Sequence, residues 1–243
     1  MKRVTLVYAY YDNPKMLSRQ IDEWSLYPEL ALENIRFVIV DDASPVSPAL
    51  DVIRARGLYN GIDIDVYRIG IDKPWGQDGA RNIGMKEATT DWCLLTDMDH
   101  MLPHARAMSL LGFVNSGAKR GEYYMPMRIR TSGALYHPHP NTFLFSREDF
   151  WEMGGYDEDF VGWYGSDGNF RKCARGSGLR EVLTEEFRVV LYGSDDIDDA
   201  HTRTLSRKEG PLWAVHNPVL NAKRMGPAYR AINPVRAAYR RVL

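Results

Sequence analysis

The stretch Trp92-Cys93-Leu94-Leu95-Thr96-Asp97-Met98-Asp99 joins a short apolar run to two carboxylates at i and i+2. A run of that length, bounded by polar residues, reads as a strand buried on both faces. Working outward, Gly79 to Ala88 reads as the helix that precedes it. Val4 to Tyr10 reads as a first strand, and Pro14 suits the first turn of a helix running to Trp24. Ile35 to Val40 is a second strand, ending in Asp41-Asp42, and a short helix follows through Arg56. Ile62 to Ile69 is a third strand, with Asp63 and Asp65 interleaved. Continuous apolar strands alternating with helices imply an α/β protein, with a mostly parallel sheet flanked by helices. Ligands of such sheets bind beyond the carboxyl ends of the strands. The chemistry is therefore expected after Tyr10, Val40 and Thr96.

The second half is less regular. Helices are expected over 103–115, 147–153 and 167–176, and strands over 123–130, 141–145 and 187–191. Beyond Gly193 no period stands out, and Pro211, Pro218, Pro227 and Pro234 interrupt any long helix.

At 243 residues, with 44% hydrophobic and 26% charged residues, the chain has the composition of a folded domain and not of a disordered one. Cys93 and Cys173 are the only cysteines, which excludes a disulfide-stapled scaffold, and Cys93 lies in an apolar run as a buried thiol would. No run reaches the roughly 18 apolar residues of a spanning helix. The basic start at Met1-Lys2-Arg3 leads into an apolar stretch cut short by Asp12, Asn13 and Pro14, so it is read as the first strand of a cytoplasmic protein. The net charge of −1 conceals a polarised chain: residues 1–200 hold 22 basic and 31 acidic residues, and residues 201–243 hold 9 basic residues against Glu209 alone.

Asp97 and Asp99, where the chain leaves the sheet, offer hard oxygen ligands suited to Mg²⁺ or Mn²⁺, an ion able to bridge to a diphosphate. An Asp-x-Asp pair also occurs in solvated turns, and Asp99 would cap the following helix. The context is more specific. Tyr10-Tyr11-Asp12-Asn13-Pro14, Val40-Asp41-Asp42-Ala43-Ser44, Gly79-Ala80-Arg81-Asn82-Ile83-Gly84 and Leu95-Thr96-Asp97-Met98-Asp99 occur in that order. Together they resemble the family 2 glycosyltransferases of the GT-A fold, and the resemblance covers Val4 to Asp99. Gly154-Gly155-Tyr156-Asp157-Glu158 and Gly162-Trp163-Tyr164-Gly165-Ser166-Asp167 look like the acceptor-side segment of galactosyltransferase-type relatives, with Ser166 standing where those carry Glu.

The resemblance implies a GT-A domain over 1–200, with a nucleotide-sugar-binding half (1–100) and a smaller acceptor-side lobe (101–200), followed by a basic extension (201–243) on or near the active site. It implies a metal-dependent, inverting hexosyltransferase that moves a sugar from a nucleoside-diphosphate donor, in the first instance a UDP-sugar. Tyr8, Tyr10, Asp41, Asp42, Arg81 and Asp97 would bind the donor. Asp97, Asp99 and His201 would hold Mn²⁺ or Mg²⁺, with His216 as the other candidate for the third ligand and His100 directed elsewhere. Asp167 would be the catalytic base, taking the proton of the acceptor hydroxyl as the new bond forms. Trp163 and Tyr164 would meet the acceptor, a glycan, a lipid-linked glycan or a modified DNA base. Each of these residues also has a structural reading: Asp41 and Asp42 as turn caps, Arg81 as a helix salt bridge, Asp167 as an N-cap, Trp163 as core. The acidic loop Asp195–Asp199 reads as solvated surface.

The basic tail either covers the active site, supplying Lys or Arg to the diphosphate, or contacts an anionic acceptor or membrane surface. Two alternatives stand beside the transferase: a sugar nucleotidyltransferase, and a non-catalytic sugar- or nucleic-acid-binding module on the same fold. The first would show a Gly-rich basic loop after strand one, and the second would lack Asp99 or Asp167.

Overall fold

A computed structural model of the chain describes residues 4–57, 61–201, 212–232 and 234–243. The elements in chain order are β1 (Val4–Tyr10), α1 (Pro14–Trp24), α2 (Glu29–Leu32), β2 (Ile35–Asp41), α3 (Ala49–Arg56), β3 (Asp63–Ile69), α4 (Gln77–Glu87), β4 (Trp92–Asp97), β5 (His100–Met101), α5 (His104–Ser116), β6 (Glu122–Arg130), β7 (Leu135–Tyr136), β8 (Phe143–Ser146), α6 (Arg147–Glu152), α7 (Asp167–Gly176), β9 (Arg180–Leu191), α8 (Pro218–Met225) and β10 (Tyr239–Arg241). One sheet carries all ten strands in the order β10-β3-β2-β1-β4-β8-β6-β9-β5, with β7 paired to β6. The stretch β3-β2-β1-β4 is wholly parallel, and β8, β6 and β5 introduce antiparallel pairs on the other side. The expected α/β fold is present.

Register explains why the carboxylates meet. Tyr10 pairs with Asp41 on one side of β1, and Ala9 pairs with Asp97 on the other. Three parallel strands thus end abreast, and the residues that leave them share one edge. The sheet is covered on both faces. Val4, Leu6, Tyr8 and Tyr10 join a core with Trp24, Phe37 and Leu110, whereas Val7 joins Ile83, Phe143 and Phe170 on the opposite face. The Trp24 and Phe37 rings lie 4.3 Å apart, and Tyr156 stacks on Phe170 at 3.9 Å. Both cysteines are buried and free, and burial pushes the Cys93 thiol up to about 12.

Two departures from the sequence reading have clear causes. Strand β9 begins at Arg180, not Phe187, because residues 180–184 pair with β6 from Glu122 to Pro126, and Glu181, a charge that hides the strand in the sequence, is held by Arg171. Its pairing with β6 shifts register between Pro126 and Arg128, where proline has no N–H to donate. The tail, in whose sequence no period stands out, contains the short elements α8 and β10. Pro218 opens α8 in its first turn, and the Asn217 side chain accepts from Val219 N and Leu220 N at 3.0 and 3.2 Å. Strand β10 joins the free edge of β3, antiparallel. No helix among the described residues is long and apolar enough to cross a membrane.

Helix α4 lies directly on β1 through Gly84, where a Cβ would collide with Val7 Cγ1. Gly84→Ala should therefore destabilise the protein by about 1–3 kcal/mol, from overpacking in a helix that would otherwise gain from alanine. A lowered denaturant midpoint with an unchanged slope checks this.

Candidate active site

A cleft of about 500 Å³ opens at the carboxyl edge of β1, β2 and β4. Tyr10, Asp42, Asp97, Asp99, Tyr164, Asp167 and His201 all line it. Seven of the expected residues, from five separate segments, thus come together. Backbone strain gathers beside them: of the four non-glycine residues at positive φ among the described residues, Asp12 (46°) and Ala43 (61°) flank lining residues and Trp75 (54°) lines the cleft itself.

The chain invests capping groups in holding this edge. Asp12 Oδ1 accepts from Ser47 N at 2.7 Å, which ties the end of β1 to the loop after β2. Helix α1 has no cap from its own Asn13. Its first N–H groups are met from far along the chain, where Asp199 Oδ2 and Oδ1 accept from Lys15 N (2.7 Å) and Met16 N (2.9 Å). The acidic loop is thus structural, and it carries His201 to the cleft, with His201 Nδ1 at 2.9 Å from Asp99 Oδ2. His216 does not line the cleft.

Four expected residues are placed otherwise. The Tyr8 side chain is fully buried, its ring 5.5 Å from Trp24, because it points with Leu6 into the core beneath α1. Asp41 caps the loop after β2: Oδ1 accepts from Ser44 N (2.8 Å) and Oδ2 from Ala49 N (3.0 Å), with Arg68 alongside at 3.1 Å. Arg81 is wholly buried under the cleft, paired with Asp97 and lying 5.4 Å from the Tyr156 ring centroid, so it holds a lining carboxylate without lining the cleft itself. Trp163 packs beside Phe160, Ala214 and Leu220. His100, expected to point elsewhere, faces inward, and its ring nitrogen lies with ligand atoms of Asp97 and His139 inside a 4.8 Å group.

The residues from 9 to 183, well over half of the chain, match the sequence profile described as Glycosyl transferase family 2. The chain belongs to this family. No curated protein sequence matches it. Among solved structures it resembles residues 1–349 of S. aureus TarS, at TM-score 0.63 and 13% identity, covering 82% of this chain and 63% of that one. It resembles GalNAc-T7 with UDP, GalNAc and Mn²⁺, at TM-score 0.60 and 17% identity, over 79% of this chain and 44% of the other. The mannosyltransferase PcManGT from Pyrobaculum calidifontis, with GDP-Man and Mn²⁺, gives TM-score 0.60 and 17% identity over 92% and 69% of the two chains. The chain thus spans less than two thirds of the TarS and GalNAc-T7 structures. At these identities the likeness shows the shared GT-A fold.

The sequence offered little warning of several other lining residues of this family member. His139 and Asn141 come from a proline-flanked loop, and Trp75 from the turn before α4. Tyr164 stands edge-on between Trp75 (5.0 Å) and Trp213 (4.5 Å), and its backbone bridges to Trp213. A glycine at 76 is required, since a Cβ there would strike the Asp42 carboxylate. Ser166, the departure from the galactosyltransferase-type pattern, donates its hydroxyl to the buried Asp78 at 3.0 Å, so a carboxylate from α4 adjoins the position where those relatives carry Glu.

Crowding shapes the titration of these acids. Burial, then the Asp72 and Asp41 charges, push Asp42 up to about 8. Burial pushes Asp78 up to about 7 and Asp167 above its ordinary value, with Arg81 and an Asn141 hydrogen bond pulling Asp167 back. Burial also opposes the charge on Asp99, but His100 and His201 outweigh it and hold Asp99 below the carboxylate range. Burial keeps His139 neutral, at about 4. A carboxyl whose folded pKa exceeds its unfolded value destabilises the fold as pH rises between the two. Asp42→Asn should therefore raise the melting temperature of the ligand-free protein, by more at pH 8 than at pH 5, as differential scanning calorimetry would record.

Proposed function

We propose that this chain is an inverting hexosyltransferase that moves a sugar from a nucleoside-diphosphate sugar, a UDP-sugar in the first instance, to an acceptor hydroxyl. The observation that carries the reading is that Asp167 opens onto the same cleft as Asp42, Asp97 and Asp99. An inverting displacement needs a base on the acceptor side and charge compensation on the donor side, and these residues supply candidates for both. Burial raises the Asp167 pKa, which makes its carboxylate a stronger base. Asp42 lines the cleft with Tyr10 and Tyr11, which supports its reading as the residue that would meet the nucleobase or ribose.

The residues fit a divalent ion. Asp97, Asp99 and His201 line one side of the cleft, with His139 Nδ1 at 3.4 Å from Asp97 Oδ2. Carboxylate oxygens with imidazole nitrogen suit Mn²⁺, and Mg²⁺ less well. Mn²⁺ is present with GalNAc-T7 and PcManGT, which supports the same choice here. When bound, such an ion offsets charge developing on the leaving diphosphate. The chain's own contribution is to keep Asp97 oriented by Arg81, exclude water beneath the cleft, and hold Asp167 ready for the acceptor proton.

The acceptor is a glycan, lipid-linked glycan or modified DNA base presenting a hydroxyl to Tyr164 and Asp167. Of the basic tail, Arg203, Arg207 and Lys208, the residues best placed in sequence to reach a diphosphate, lie outside the described residues. Elsewhere Lys223, Arg236 and Arg241 are paired with Asp157, Asp159 and Asp65, which favours a packing role over capture of an anionic surface.

Asp167→Asn and Asp99→Asn should each lower turnover by at least about 100-fold. Full activity of Asp167→Asn would remove it from the base role. A thermal-shift screen of UDP- and GDP-sugars, with and without Mn²⁺, should single out the donor, since a ligand at 100 times its Kd adds about 2.7 kcal/mol. A shift for no nucleotide sugar would count against the reading, and release of pyrophosphate in place of a nucleoside diphosphate would point to nucleotidyl transfer.

A further inference from the structure

His100 follows Asp99 and is 1% exposed, yet its ring is fully engaged. Nδ1 lies 2.7 Å from Asp99 Oδ1, and Nε2 lies 3.0 Å from Arg128 Nη1. A guanidinium carries N–H donors only, so the nitrogen facing it must present a lone pair. The single ring proton then sits on Nδ1 and is donated to Asp99 Oδ1. Arg128 is itself fixed, with Nε donating to the His137 carbonyl at 2.7 Å, Nη2 at 3.1 Å from His137 Nδ1, and Cζ 4.8 Å from the Tyr136 ring centroid. The His139 ring lies 4.4 Å from that of His100, and its Nδ1 accepts from Asn141 N at 3.2 Å.

The two oxygens of Asp99 are therefore unequal. Oδ1 is bound back to the protein through His100, and Oδ2 faces His201 at the cleft. We propose that His100 is a positioning residue: locked by Arg128 as the Nδ1–H tautomer, it turns Asp99 so that only Oδ2 is offered to the divalent cation. His100 falls within the same group of ligand atoms as Asp97 and His139. With both ring nitrogens occupied, however, it serves Asp99 and is not itself a ligand. This inference rests on the metal-dependent reading given above.

Side-chain amides separate the two ring nitrogens. Asn places its amide where Nδ1 stands and keeps a donor to Asp99. Gln reaches the Nε2 position and keeps only the contact with Arg128. The test is the affinity for Mn²⁺, read from the electron paramagnetic resonance signal of the free ion with UDP present, alongside the melting temperature of each metal-free variant. His100→Asn should bind Mn²⁺ within about threefold of wild type, and His100→Gln about 10- to 100-fold more weakly, the usual effect of removing a group that orients a ligand. Both variants delete the buried ring, so a general loss of stability affects them alike, and their difference in affinity carries the result. Equal affinities, or tighter binding by His100→Gln than by His100→Asn, would overturn the inference while leaving the transferase reading intact. Wild-type protein that binds no Mn²⁺ would overturn both.

Discussion

One buried guanidinium underlies the acidic cleft. Asp42, Asp72, Asp78, Asp97, Asp99 and Asp167 crowd a single edge of the sheet, and like charges at short range in a partly dry site repel strongly. Arg81 lies beneath them with no exposed surface, pairs with Asp97, and draws down the pKa values of Asp78 and Asp167. Its Nε and Nη1 have no hydrogen-bond partner among the described residues. The guanidinium thus acts mainly as a fixed positive charge and only secondarily as a donor. One cation does not balance this many acids, so burial keeps Asp42 and Asp78 protonated to higher pH than usual. A cleft so arranged gains stability from any divalent cation or cationic group that enters it, which couples ligand binding to folding.

The edge on which this depends was legible in the sequence because a parallel strand must be apolar and its chemistry must follow its carboxyl end. Asp97 and Asp99 were located by that rule before any contact was known. The side-chain directions were less legible. Tyr8 and Tyr10 sit on the same face of β1, two residues apart, and both belong to the core under α1. Only the last two residues of the strand, Ala9 and Tyr10, reach the cleft, and with both faces of β1 apolar, hydrophobicity alone could not say where the rim begins. Trp163 and Tyr164 form a similar pair, one turned into a small core and the other into the cleft. His139 and Trp75 were missed for another reason: they lie in irregular loops, where no period reports direction.

Long-range capping was wholly invisible to sequence. Asn13 stands where a cap is expected, yet Asp199 performs that task from far along the chain. A four-acid loop reads as solvated surface because the N–H groups it serves are almost the whole domain away. The same holds for the tail. Its basic residues read as an electrostatic footprint, but Lys223, Arg236 and Arg241 find acids on the body of the protein, and β10 completes the sheet. The exposed Arg236–Asp159 pair by itself contributes little. It is the number of such pairs, together with the backbone pairing of β10, that fixes the course of the tail.

Capping and the His201–Asp99 contact are coupled here by chain length. Only Ala200, itself buried, separates the Asp199 carboxylate that caps α1 from the His201 imidazole that meets Asp99. Two residues span at most about 7 Å even when extended, too little slack for one contact to move without the other. The helix dipole of α1 favours an anion at its N-terminus, so the cap is held by charge as well as by two N–H donors. Helix α1 in turn packs against the same strand, β1, whose end forms the rim at Tyr10. The position of His201 is therefore set by the fold of the first forty residues, even though the chain reaches it last.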